Sequence, residues 1–132
     1  MKNKISITVF VSVDATAERI WEFWTLPSHI TKWNNASDEW HTITATNDLK
    51  VGGKFKLQMA AKDGSMGFDF EGIYHTIETN KLLAYTLDDG RNASVAFTNN
   101  NNKTTIVETF EAEAENPIEI QKMGWQRILN NF

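Results

Sequence analysis

The sequence contains no cysteine. That excludes a disulfide framework and any thiolate zinc site. Positive charge is also scarce: 13 Lys and Arg stand against 17 Asp and Glu, a net charge of -4. No basic run appears, which excludes the electrostatic footprint of a nucleic-acid surface. No apolar run reaches the ~18 residues of a membrane span. The first residues, MKNKISITVFVSVDA, alternate apolar with polar side chains, so they read as a strand and not as a secretory h-region. The cytoplasm is therefore the expected location. The Asn-x-Ser/Thr sequons at Asn35, Asn92 and Asn102 are read as incidental, because glycosylation requires secretion. The three histidines, His29, His41 and His75, form no HxH or HExxH pair, so no metal and no cofactor is expected.

The chain does contain a Gly-Gly-Lys, in VGGKFKLQM from Val51 to Met59. A phosphate-binding loop needs an earlier glycine where Asp48 stands, and a Ser or Thr where Phe55 stands. Phe55, Leu57 and Met59 then alternate with Lys54, Lys56 and Gln58, which is strand periodicity. Gly52 and Gly53 are accordingly expected to shape a β-bulge or sharp bend and to bind no phosphate.

The length of 132 residues suits one domain, and 41% hydrophobic residues can fill its core. Ile5, Ile7, Val9, Val11 and Val13 predict a first strand. Ala17, Ile20, Trp21 and Trp24 predict an amphipathic helix, capped by Asp14 or Thr16 and stopped by Pro27. A short second helical turn is predicted over 28–33, with His29 exposed on it. Trp40 to Thr46 reads as β. Strands near 51–60, 67–78, 82–88, 93–98 and 104–113 follow, separated by turns rich in Asn, Asp and Gly. Asn99 to Asn102 form a hairpin tip, since asparagine tolerates positive φ. A last helix is predicted with Asn116 as cap, Pro117 at N1 and Glu119 placed for a capping box; Trp125, Ile128, Leu129 and Phe132 form its apolar stripe. The expected fold class is α+β: one curved antiparallel sheet, two short N-terminal helices, and a C-terminal helix packed across the sheet.

IWEFWTLPSHITKW, DLKVGGKF, DGSMGFDFEGIY, LDDGRNASVAF, ETFEAE and GWQRILNNF occur in that order along nearly the whole chain. Together they resemble the Bet v 1/START-like, helix-grip superfamily (also called SRPBCC), and within it the group named after the C-terminal domain of the activator of Hsp90 ATPase. The resemblance implies the helix-grip fold over residues 1–132. It implies less about function, because this fold carries lipid binders, hormone receptors, cyclases and co-chaperone domains. The eukaryotic activator has a separate N-terminal domain that also grips the chaperone; this sequence opens on its first strand, so the expectation is a chain without that second grip.

Five tryptophans and eight phenylalanines are many for this length. Trp21, Trp24, Trp33, Trp40, Phe55, Met59, Phe68, Phe70, Tyr74, Tyr85, Phe97 and Trp125 are the candidates to line a ligand pocket, or else to form solid core. Gly124 favours the pocket. A mid-helix glycine is unfavourable, and either a close helix–sheet contact or a pocket mouth would explain it. The polar pocket candidates are Asp69, Arg91 and Glu108, with Glu71 beside them. Asp69 and Glu71 alternate with Phe68 and Phe70 and so face water if the aromatics face inward. A bulge near Gly72 would turn one of the two inward to meet Arg91. Ser65 lacks the Gly-x-Ser-x-Gly setting of a nucleophile elbow, and no catalytic residue is assigned.

The reading is a non-enzymatic binder of a small hydrophobic or amphipathic molecule. The alternatives are a cyclase- or dehydratase-like enzyme with an inward carboxylate, and a module that acts on a chaperone. An enzyme requires a pocket group of perturbed pKa. A chaperone module requires an exposed apolar or charged patch outside the pocket.

Overall fold

The computed structural model describes residues 5–34, 39–113 and 117–131. The predicted cap at Asn116 and the end of the apolar stripe at Phe132 lie outside these residues, as does the sequon at Asn35. The described elements are β1 (Ser6–Val13), α1 (Ala17–Thr25), α2 (Pro27–Trp33), β2 (Trp40–Asn47), β3 (Lys54–Ala61), β4 (Gly67–Glu78), β5 (Leu82–Leu87), β6 (Asn92–Asn100), β7 (Lys103–Glu111) and α3 (Ile118–Leu129). The strands form one antiparallel sheet in the order β1-β7-β6-β5-β4-β3-β2. It curls into a half-barrel with α3 across its concave side, the α+β helix-grip arrangement.

Period-two alternation decides which side chains face inward. On β7, Thr104, Ile106, Glu108 and Phe110 are buried while their neighbours are partly exposed. The same phase on β6 buries Ala93, Val95 and Phe97, and on β3 it buries Phe55, Leu57 and Met59. Register shifts at Thr42/Thr44 in β2 and Tyr74/Thr76 in β4 break the ladders and let the sheet bend. The expected bulge near Gly72 falls at Tyr74/Thr76, and it leaves Asp69 and Glu71 in register on the outer face.

Thr16 caps α1, its side chain accepting from the Arg19 N–H at 3.3 Å. Pro27 does more than end this helix: with Leu26 as the shared cap residue, it occupies the first turn of α2, where its missing N–H is no loss. In α3, by contrast, Pro117 is the N-cap residue and not N1, and no side-chain hydrogen bond caps the helix. His29 is half-buried, not exposed, because its ring packs edge-on against Phe23 at 4.5 Å. The asparagine hairpin uses positive φ at Asn101 (51°) and Asn102 (64°).

Two glutamines fasten α3. Gln121 accepts from the Glu113 N–H at 2.8 Å and donates to the Glu113 carbonyl at 3.2 Å. Gln126 accepts from the Phe10 N–H at 3.2 Å and donates to the Phe10 carbonyl at 2.8 Å. Each side-chain amide pairs with a backbone unit as a neighbouring strand would.

Gly52 and Gly53 belong to the turn before β3 and form no bulge within the strand. Gly52 takes φ +85° and donates its N–H to the Tyr74 carbonyl at 2.7 Å. At Gly53 the constraint is space, since an added Cβ would lie 2.0 Å from the Asp48 carbonyl oxygen. Gly53→Ala is therefore expected to destabilise the fold by about 2 kcal/mol or more, as backbone displacement in a tight turn does. Urea unfolding measures this, and an unchanged midpoint would show that the turn yields freely. ATP or GTP should leave the melting temperature of the wild type unmoved.

Candidate functional site: a cavity under the C-terminal helix

Between α3 and the concave face of the sheet lies a cavity of about 400 Å³. The interior is therefore partly hollow. Aromatic and aliphatic side chains form most of its wall. Phe55 on β3 meets Tyr85 edge-on at 5.0 Å and Tyr74 at 5.3 Å. Trp125 on α3 stacks on Phe110 at 3.8 Å and meets Phe70 edge-on at 5.9 Å. Trp24 and Trp33 pair at 4.7 Å at the end formed by α1 and α2. Exposed Phe68 and Ile120 also line the cavity, which places its mouth between the start of β4 and the first turn of α3.

Among the residues singled out from sequence, Trp24, Trp33, Phe55, Met59, Phe68, Phe70, Tyr74, Tyr85 and Trp125 all border this space, as do Arg91 and Glu108. Four others do not. Trp21 and Phe97 pack edge-on at 5.6 Å beneath α1, to one side of the cavity. Trp40 lies over Phe68 at 5.8 Å on the edge strand β2. Asp69 is on the outer face, where it pairs with Lys56 at 3.4 Å; Glu71 pairs there with Lys54 at 3.2 Å. Cross-strand lysines hold both acids on that face, so neither meets Arg91. That guanidinium instead donates to Asp89 at 2.7 Å and to the Glu111 carbonyl at 3.3 Å.

The structure adds polar wall residues that the sequence reading left out. Asn34 donates to Thr42 Oγ1 at 3.0 Å, and Asn47 donates to the Thr25 carbonyl at 2.7 Å while accepting from the Tyr74 hydroxyl at 2.7 Å. Gln121 was signalled by helical spacing, falling four residues before Trp125 and seven before Ile128. The two asparagines lie in loop-like sequence, and nothing there marks them.

Glu108 is the unusual group. It lies opposite Val9 on β1 and Val95 on β6, and neither valine has any exposed surface. Burial pushes its carboxyl up to about 8, so it is mostly protonated at neutral pH. The Tyr85 phenol is also raised, first by burial and then by the nearby Glu108; Arg91 acts weakly in the other direction. Among the described residues, no group of His, Asp and Glu is placed to hold a metal ion, and no helix is long and apolar enough to cross a membrane.

Residues 14–132 match the family described as activator of Hsp90 ATPase homolog 1-like protein. The chain belongs to this family. Its structure superposes with a TM-score of 0.90 on the solution structure of an activator-like member from Aeromonas hydrophila, at 41% identity over 96% of this chain and 88% of that one. A solution structure from Cytophaga hutchinsonii is similar at 51% identity and a TM-score of 0.82, covering 98% of this chain and 88% of that one. A crystal structure from Chromobacterium violaceum shares the fold at 20% identity and a TM-score of 0.85, over 96% and 94% of the two chains. No curated protein matches the sequence. The family places the chain in the Bet v 1/START-like superfamily, as its local patterns imply.

Within this family fold, Gly124 has an assignable setting. It borders the cavity, and a Cβ built on it meets nothing within 4 Å. Of the two explanations considered for it, close helix–sheet contact is therefore excluded. Gly124→Ala should stabilise the protein by about 1 kcal/mol, the ordinary helix-propensity gain. Thermal unfolding of the ligand-free protein measures it, and a loss of stability would mean that the backbone at 124 is not plainly helical in solution.

Proposed function

We propose that this protein binds a small hydrophobic or amphipathic molecule in the cavity between the sheet and α3. The observation that carries this reading is the cavity itself: about 400 Å³, mostly aromatic and aliphatic in its wall, with a few polar groups. Pockets of this size and character hold drug-sized ligands. A hydrophobic fluorescent probe should bind the native protein saturably, at about one site, with an affinity around micromolar. The emission of Trp24, Trp33 and Trp125 should change in step, and the melting temperature should rise with probe concentration. Gly124→Trp, which puts an indole into the space, should abolish both effects. Probe binding that survives this substitution, or no binding at all, would falsify the reading.

A second reading has a specific observation behind it. Enzyme active sites commonly carry a pocket group of perturbed pKa, and the buried Glu108 carboxyl is raised to about 8. Such a group can give or take a proton near neutral pH, which suits a cyclase- or dehydratase-like reaction. Recovery of candidate ligands unchanged after long incubation supports binding alone; conversion that depends on Glu108 supports catalysis. A chaperone as partner draws only on the family's name. It calls for an outer-surface contact of side chains such as Phe10 and Ile73, both more than half exposed.

A further inference from the structure

Two buried polar groups on the inner face have no partner among the described residues. Among the described residues, neither the Glu108 carboxyl nor the Tyr85 hydroxyl makes a hydrogen bond or an ion pair, although both residues are more than nine-tenths buried. Yet among the described residues no fully enclosed side-chain oxygen lacks a partner. The oxygens of both groups must therefore open into the cavity that both residues line. The other polar groups behave differently: Tyr74 is held by Asn47, Asn34 by Thr42, and Gln121 by the Glu113 backbone. Unpaired polar groups in an apolar chamber are costly, and a ligand that satisfies them removes the cost.

The strand register brings the two together. Tyr85 lies opposite Ala93 on β6, and Glu108 lies opposite Val95 two residues further along the same strand. They therefore sit on the two strands that flank β6, offset by two residues, and both border the cavity. The charged and titratable groups bordering the cavity are Tyr74, Tyr85, Arg91, Glu108 and Glu113. Both unpartnered groups are held in their protonated forms, and a neutral carboxylic acid in an apolar site is a hydrogen-bond donor. Arg91 on the same wall is already paired with Asp89 at 2.7 Å, and the acid Glu113 also borders the cavity, so the preference rests on the two O–H groups, which supply donors to an acceptor oxygen.

We propose that Glu108 and Tyr85 form a paired-donor clamp for a single acceptor oxygen, so that the cavity selects compact aromatic molecules bearing a carbonyl over hydrocarbons and amines of the same shape. This rests on the cavity being a ligand site, and the test separates the two claims. Three near-isosteric probes are 2-acetylnaphthalene, 2-ethylnaphthalene and 1-(2-naphthyl)ethylamine, compared by NMR titration at pH 7. The ketone should bind about ten-fold more tightly than the hydrocarbon, the yield of one or two net hydrogen bonds. Glu108→Leu and Tyr85→Phe should each remove most of that preference. Glu108→Gln, which keeps an N–H donor, should retain part of it and remains informative if the leucine variant does not fold. Above pH 8 the ketone preference should fade in the wild type, as the carboxyl ionises, and stay level in Glu108→Gln. A preference for the amine that disappears in Glu108→Gln would overturn the clamp in favour of a cation site. Equal affinity for all three probes would overturn the clamp while leaving the cavity a ligand site. Failure of all three, hydrocarbon included, would overturn both.

Discussion

Raising the pH from 4.5 to 8 is expected to lower the folding stability of the wild type by several kcal/mol through Glu108, and Glu108→Gln should escape that loss. The sign follows from proton counts. An unfolded glutamate ionises near 4.5, whereas the buried carboxyl holds its proton until about 8. Between those values the native state binds about one proton more than the unfolded state, so stability falls by ~1.4 kcal/mol per pH unit. Below 4.5 both states are protonated and the term vanishes; above 8 both are ionised and the loss stops growing. The variant and the wild type should therefore differ little at pH 4.5 and diverge steadily toward pH 8. Denaturant unfolding across this range measures the divergence. Parallel curves would show that Glu108 is ionised in the native protein, held by solvent or a bound ion within the cavity.

The second large effect is expected at the end of α3. Leu129 has no exposed surface and belongs to the main core. Leu129→Ala should lower stability by about 2–5 kcal/mol, the combined loss of buried area and the void left behind. Ile128, its neighbour, borders the cavity and already faces empty space on one side. Truncating it removes fewer contacts, so Ile128→Ala should cost distinctly less. Paired unfolding curves of the two variants check the order. A reversal would place the packed side of α3 where the open side is described.

The two predictions drew on the sequence to different degrees. The strands were legible because their inward side chains recur every second residue, as in Phe55, Leu57 and Met59. The turns were legible because Asn101, Asn102 and Gly90 take the positive φ that their chemistry favours. Leu129 was legible as part of an apolar stripe. Glu108 was partly so: in TTIVETF it is in phase with Ile106 and Phe110, which points it inward, whereas Asp69 and Glu71 are out of phase with Phe68 and Phe70. What no pattern could supply is the curl. Trp21, Trp24, Trp40 and Phe97 are alike as residues, and only the bending of the sheet and the seating of α1 decide that Trp24 borders the cavity while the other three do not. The hollow itself is a failure of side chains to fill a volume, and no local pattern encodes it.

The amide of Gln126 has a consequence for how copies of this chain meet one another. β1 is an edge strand of the sheet, and Phe10 on it exposes 64% of its surface. An open edge beside a bare phenyl ring is a template on which a second chain can add a strand. Gln126 occupies both backbone groups of Phe10 and closes that template at its most apolar point. Gln126→Leu would remove one of the two fastenings of α3 and reopen the edge. The reopened edge should be visible as concentration-dependent self-association in light scattering, beyond the modest loss of melting temperature expected at high dilution.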